Sequence, residues 1–126
     1  MFKWITGNAE VSIVTLNEGN LTLNQNATIY FEDSQYVLVG LSDDYKLGIK
    51  PVSGRDVDLN VYPKEDLHKI SIGKGYAKIN NKSLCDYIAK RLGVLLNGIK
   101  VVAKYDSVEA VLVIDLKSLM KKEVTL

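Results

Sequence analysis

The chain has 126 residues, 47% of them hydrophobic and 25% charged, with a net charge of +1; this is the make-up of a folded globular protein and excludes a disordered one. One cysteine, Cys85, excludes an internal disulfide framework, and no apolar run reaches the ~18 residues of a membrane span. The opening residues lack a continuous apolar stretch, so a cytoplasmic protein with no membrane partner is expected.

In chain order, EGNLTLNQNAT (Glu18 to Thr28) alternates Leu21 and Leu23 with polar residues in the manner of a short strand. The QNATIYFEDS that follows is short and β-prone, so any helix there is about one turn. Between Gln35 and Val52 two β-rich runs flank Ser42, Asp43 and Asp44, which predicts a hairpin, with Pro51 marking the limit of ladder donation. Ser53 to Lys69 is a polar connector containing Gly54 and Pro63, with a short strand expected at Val57 to Val61.

KGYAKINNKSL (Lys74 to Leu84) repeats the strand-like alternation and runs into a helix start. Leu84, Ile88 and Leu92 stand at i, i+4 and i+8 and share one helical face. Asn80 or Asn81 can cap the start, Lys90 and Arg91 suit the negative end of the dipole, and Gly93 suits a left-handed cap. A helix of about three turns is predicted. Ile99 to Leu116 is a second hairpin turning at Asp106 and Ser107, and the residues after Leu116 are expected on the surface.

The two hairpins superpose with a constant offset of 64 residues: Val37 on Val101, Leu47 on Val111, Ile49 on Val113. The preceding strands superpose at 56: Gly19 on Gly75, Leu21 on Ala77, Leu23 on Ile79, Asn24 on Asn80. The difference is taken up by the longer helix of the second copy. An internal duplication follows, with residues 11–52 as first repeat, 53–69 as connector and 70–116 as second repeat, in one compact domain.

This order of elements resembles the AbrB/MraZ superfamily of swapped-hairpin DNA-binding domains. Lys74, Gly75, Ala77, Ile79, Lys82 and Leu84 match the family's strand and junction, and Lys90, Arg91, Leu92, Gly93 and Val94 match its helix end. Two copies in one chain look like the tandem arrangement of MraZ. The resemblance implies a mostly β fold with one main helix, a pseudo-dimer in which two copies share strands because one unit of roughly 50 residues buries too little apolar surface alone. It also implies a DNA-binding transcriptional regulator. The sequence departs from the family where Asn24 and Asn80 replace its proline, and where Asn20 and Tyr76 follow the glycine in place of its frequent arginine.

Charge is uneven: residues 1–63 hold 4 Lys/Arg against 8 Asp/Glu, and residues 64–126 hold 12 against 7. The basic set Lys74, Lys78, Lys82, Lys90 and Arg91 is the candidate site for double-stranded DNA. Lys74, Tyr76 and Lys78 are expected on one strand face, with Lys82 and Lys90 to Arg91 bracketing the helix. Five phosphate contacts correspond to a slope of about −4.5 in log affinity against log salt. A solvated lysine face explains the same set.

No catalytic, metal or cofactor site is expected. His68 stands alone in the connector as a solvated side chain, Cys85 is a packing residue, and GKGYAK lacks the spacing of a phosphate loop. A non-enzymatic protein is therefore expected. The alternative is a protein-interaction or structural module that kept the fold and lost DNA binding, anchored through Trp4, Tyr30, Tyr36 and Tyr45. Homo-oligomer formation stays open.

Overall fold

The computed structural model describes residues 1–2 and 11–120. Alternation builds the first hairpin: β1 (Ser12–Leu16) and β2 (Asn20–Leu23) bury Val14, Leu16, Leu21 and Leu23 completely and turn Thr15 and Thr22 outward. A one-turn helix, α1 (Gln25–Thr28), and a 3₁₀ turn (Ile29–Phe31) follow. Asn24 caps α1 by accepting from the Ala27 amide at 3.0 Å, and its Nδ2 donates to the Val11 carbonyl at 2.8 Å, which ties the helix start to β1. The short first helix expected from the sequence is thus present.

The hairpin β3 (Tyr36–Leu41) and β4 (Lys46–Val52) comes next. Pro51 stays within β4 opposite Val37, where the ladder to the strand on its other side has already ended at Ile49. The strand expected at Val57 to Val61 is not formed. Residues Gly54–Asp58 are a short helix, α2, because Ser53 accepts the Asp56 amide at 3.1 Å and a local cap outweighs the β-propensity of Val57. A 3₁₀ turn (Lys64–Asp66) then leads into β5 (His68–Lys69) and β6 (Ser71–Ile72), so extended backbone begins two residues inside the expected connector.

β7 (Ala77–Asn80) runs into α3 (Lys82–Leu92), whose Cys85, Ile88 and Leu92 are buried. Asn81 is the cap, accepting from the Leu84 amide at 3.0 Å, and Gly93 ends the helix at φ 67°. The last hairpin is β8 (Ile99–Asp106) and β9 (Val111–Asp115), followed by a 3₁₀ turn (Lys117–Leu119). Leu119 and Met120 pack partly against the core, so this part of the tail is not fully on the surface; residues 121–126 lie outside the described residues.

All strands join one antiparallel sheet in the order β5-β3-β4-β9-β8-β1-β2-β7-β6. β5 and β6 are two ends of one extended stretch either side of the buried Ile70: the first pairs with β3 and the second with β7. The sheet therefore nearly closes on itself as a mostly β, barrel-like structure. Hairpins from the two parts of the chain pair with each other, β2 on β7, β4 on β9 and β1 on β8.

The inward faces corrects one alignment. Leu47 and Ile49 are fully buried, and so are Leu112 and Ile114, whereas Val111 and Val113 face outward. The turn after β8 holds one residue more than the turn after β3. Leu47 therefore corresponds to Leu112 and Ile49 to Ile114, since a one-residue slip would exchange the two faces of the strand.

Candidate nucleic-acid interface

The outer, convex face of β8-β1-β2-β7-β6 carries the most continuous polar surface built by strand pairing. Register places Lys100 opposite Thr15, Thr15 opposite Thr22, Thr22 opposite Lys78 and Lys78 opposite Ser71, one row across five strands. Lys100 and Lys78 are exposed and three strand spacings apart, about 14 Å. Between them lie only uncharged hydroxyl groups.

Beside this row, the β1–β2 turn fixes a set of amides. The Asn17 amide nitrogen, Nδ2, donates to Asn20 Oδ1 at 2.9 Å and to Thr22 Oγ1 at 3.3 Å, and the Thr22 hydroxyl donates to Asn20 Oδ1 at 2.9 Å. Asn80 stands opposite Asn20 on β7, with its side chain exposed. No residue of these two groups is acidic. A lysine on each flank and neutral hydrogen-bonding groups between them form an arrangement that can meet two phosphate backbones and the base edges in between.

Of the basic residues singled out from sequence, the structure brings two to this face. Lys78 is at the centre of β7. Lys74 lies in the Gly73–Tyr76 turn, closed by Gly73 N–H donating to the Tyr76 carbonyl at 2.8 Å and made possible by Gly75 at φ 81°. β7 begins only at Ala77, so the two-residue period does not extend back to Lys74 and Tyr76; the Tyr76 ring instead lies against Gly73, where an added Cβ would collide with it.

The other three lie along α3. Lys82 opens the helix with its ammonium 3.8 Å from Asp86, an exposed i,i+4 pair. Lys90 is eight residues on, about 12 Å along the axis. The Arg91 guanidinium sits 5.8 Å from the centre of the Tyr45 ring in the β3–β4 turn, where Ser42 and Lys46 hold the Asp44 carboxyl below its usual range. Lys90 and Arg91 therefore do not join Lys74 and Lys78 in one cluster. Lys100 was missed by sequence reasoning: the alternation in IKVVAKY already turns Lys100 outward, but its neighbour across β1 depends on pairing between residues 85 apart.

His68 is half-buried, not solvated: its Nδ1 accepts from Asn81 Nδ2 at 3.0 Å, which binds the start of α3 to β5. Cys85 is 1% exposed, and burial, then the charge of Asp86, push its thiol above the usual range, so it is a poor thiolate. The aromatic anchors of the alternative reading are largely engaged. Tyr30 stacks on Tyr105 at 3.9 Å and 7°, Tyr45 lies under Arg91, Tyr36 is half-buried, and Trp4 lies outside the described residues.

Among the described residues, no helix is long and apolar enough to cross a membrane. Comparisons of the chain with protein-family models, with curated proteins and with solved structures find no match in any of the three.

Proposed function

We propose that this chain is a non-enzymatic DNA-binding protein, a transcriptional regulator of the AbrB/MraZ type, built as a swapped-hairpin pseudo-dimer by internal duplication. The duplication is supported by corresponding pieces at matching offsets. The turn bond from Asn17 N–H to the Asn20 carbonyl has its counterpart 56 residues on, from Gly73 to Tyr76, and β1 has its counterpart 56 residues on in the stretch 68–72. Each of these stretches pairs with its own hairpin mate and with a strand of the other half: β1 with β2 and β8, residues 68–72 with β7 and β3.

The observation that carries the DNA reading is the row from Lys100 to Lys78. A lysine pair about 14 Å apart on a convex sheet face suits a major groove roughly 12 Å wide, with the Thr and Asn groups directed at base edges. Lys74, Lys78 and Lys100 are the phosphate contacts on this reading; Lys82, Lys90 and Arg91 are peripheral.

Fluorescence anisotropy of labelled duplex DNA, titrated across salt concentrations, tests it. Three contacts correspond to a slope of about −2.7 in log affinity against log salt, distinguishable from the −4.5 of five. Lys78→Glu and Lys100→Glu should each weaken binding and flatten the slope, while Arg91→Glu leaves both nearly unchanged. Absence of binding at low salt would reject the reading.

One observation favours a protein-interaction module as the second reading. On the outer face of β3-β4-β9, Gly40 pairs with Gly48, and together with Leu38, Val111 and Val113 they form an open apolar depression. Capture of a protein partner by a chain that binds no DNA, and loss of that capture on changing Val113 to Asp, would support it.

A further inference from the structure

We propose that Asn80 is the base-reading residue of this interface and that it selects adenine in the major groove at a site without two-fold symmetry. The inference rests on the DNA-binding reading above and adds the specificity of the same face.

The argument is one of available amides. An Asn side chain reads adenine by presenting an acceptor to the base N6–H₂ and a donor to N7 at the same time, so both ends of the amide must be free. Asn20 fails this requirement, because its Oδ1 already accepts from Asn17 and from Thr22. Asn17 has its Nδ2 directed to both Asn20 and Thr22. Asn24 and Asn81 are occupied at helix starts: Asn24 Oδ1 accepts from Ile13 and Ala27, and Asn81 Oδ1 accepts from Leu84 while its Nδ2 donates to His68. Asn80 is exposed on β7 and forms no hydrogen bond with any described residue, so its donor and acceptor both remain for a ligand.

Its surroundings complete the assignment. Asn80 is two residues from Lys78 and directly opposite Asn20, so it lies beside the phosphate-contact row and against the locked Asn17–Asn20–Thr22 set, which supports it without competing for the base. The guanidinium fork that most often reads guanine is not on this face, since Arg91 is engaged over Tyr45 and Arg55 lies on α2. The residue 56 positions earlier, Asn24, holds α1 to β1 and cannot act in the same way. The two halves therefore offer unequal chemistry to DNA, one reading amide beside lysines and one closed amide cluster, and the preferred sequence is not a palindrome.

The test is selection of bound duplexes from a random-sequence pool by the full chain, in parallel with Asn80→Ala and Lys78→Gln. The wild-type chain should enrich a non-palindromic element containing a fixed A·T pair, and replacing that adenine by 7-deazaadenine, which lacks N7, should weaken binding about tenfold. Asn80→Ala should lose the enrichment at that pair and the sensitivity to 7-deazaadenine while keeping the wild-type salt slope. Lys78→Gln should flatten the slope and keep the base preference.

Retention of the adenine preference by Asn80→Ala would overturn the assignment, as would salt-steep binding with no base preference or with a palindromic one. These outcomes leave DNA binding in place; only the absence of any salt-dependent binding removes both readings. Thermal unfolding of each variant, expected to match the wild type at these exposed positions, separates a lost contact from a lost fold.

Discussion

Cys85 shows how position decides chemistry at the scale of a residue. Its thiol lies on the inward face of α3 with 1% exposure, where a thiolate would lose hydration and sit beside the Asp86 carboxylate. Both effects raise its proton affinity in the folded chain above that in the unfolded one. The unfolded thiol titrates near ~8.5, so the favourable contribution is complete below that pH and is lost as pH rises through the higher folded value. The urea midpoint should therefore fall more steeply above about pH 9 in the wild type than in Cys85→Ala, measured over the same pH series. Equal slopes would show that Cys85 is not desolvated in the way its burial implies.

At the scale of elements, α3 and its caps were legible because the interactions that make them are local. The spacing of Leu84, Ile88 and Leu92, an Asn before the first turn and a Gly after the last all act within four residues. The strand at Val57 to Val61 was misread because propensity was weighed without the Ser53 cap three residues upstream of Asp56. Hairpin positions were legible too, but the facing of β9 was not, since one residue in the turn exchanges its two sides. That register is open to measurement. Leu112→Ala should cost about 2–5 kcal/mol of unfolding free energy and Val111→Ala about 1 kcal/mol, and the reverse order would restore the earlier alignment.

For the whole molecule, the pairing of each hairpin with strands from the other part of the chain has an energetic consequence. Val14, Leu16, Leu21 and Leu23 share one core with Leu47, Ile49, Ile79, Leu112 and Ile114, so neither part keeps its buried surface when the other opens. Unfolding in urea should be a single transition, with backbone circular dichroism and tyrosine fluorescence coinciding. Two separated transitions would mean that the halves hold independent cores. The stacked pair Tyr30 and Tyr105, drawn from the two parts of the chain, gives the fluorescence probe a direct report on their contact.

The amino-acid sequence by itself determined the β-rich class, the two hairpins, the one-turn and three-turn helices and the asparagine and glycine caps, because alternation and capping are set by residues a few positions apart. It also turned Lys78 and Lys100 outward, since each lies between apolar residues in a strand. Only the tertiary structure decided that these two lysines share one row, that Arg91 turns to Tyr45, that His68 meets Asn81, and that Asn80 keeps a free amide. Those relations join segments far apart in the chain, and they exist only once the sheet has selected its strand order and register.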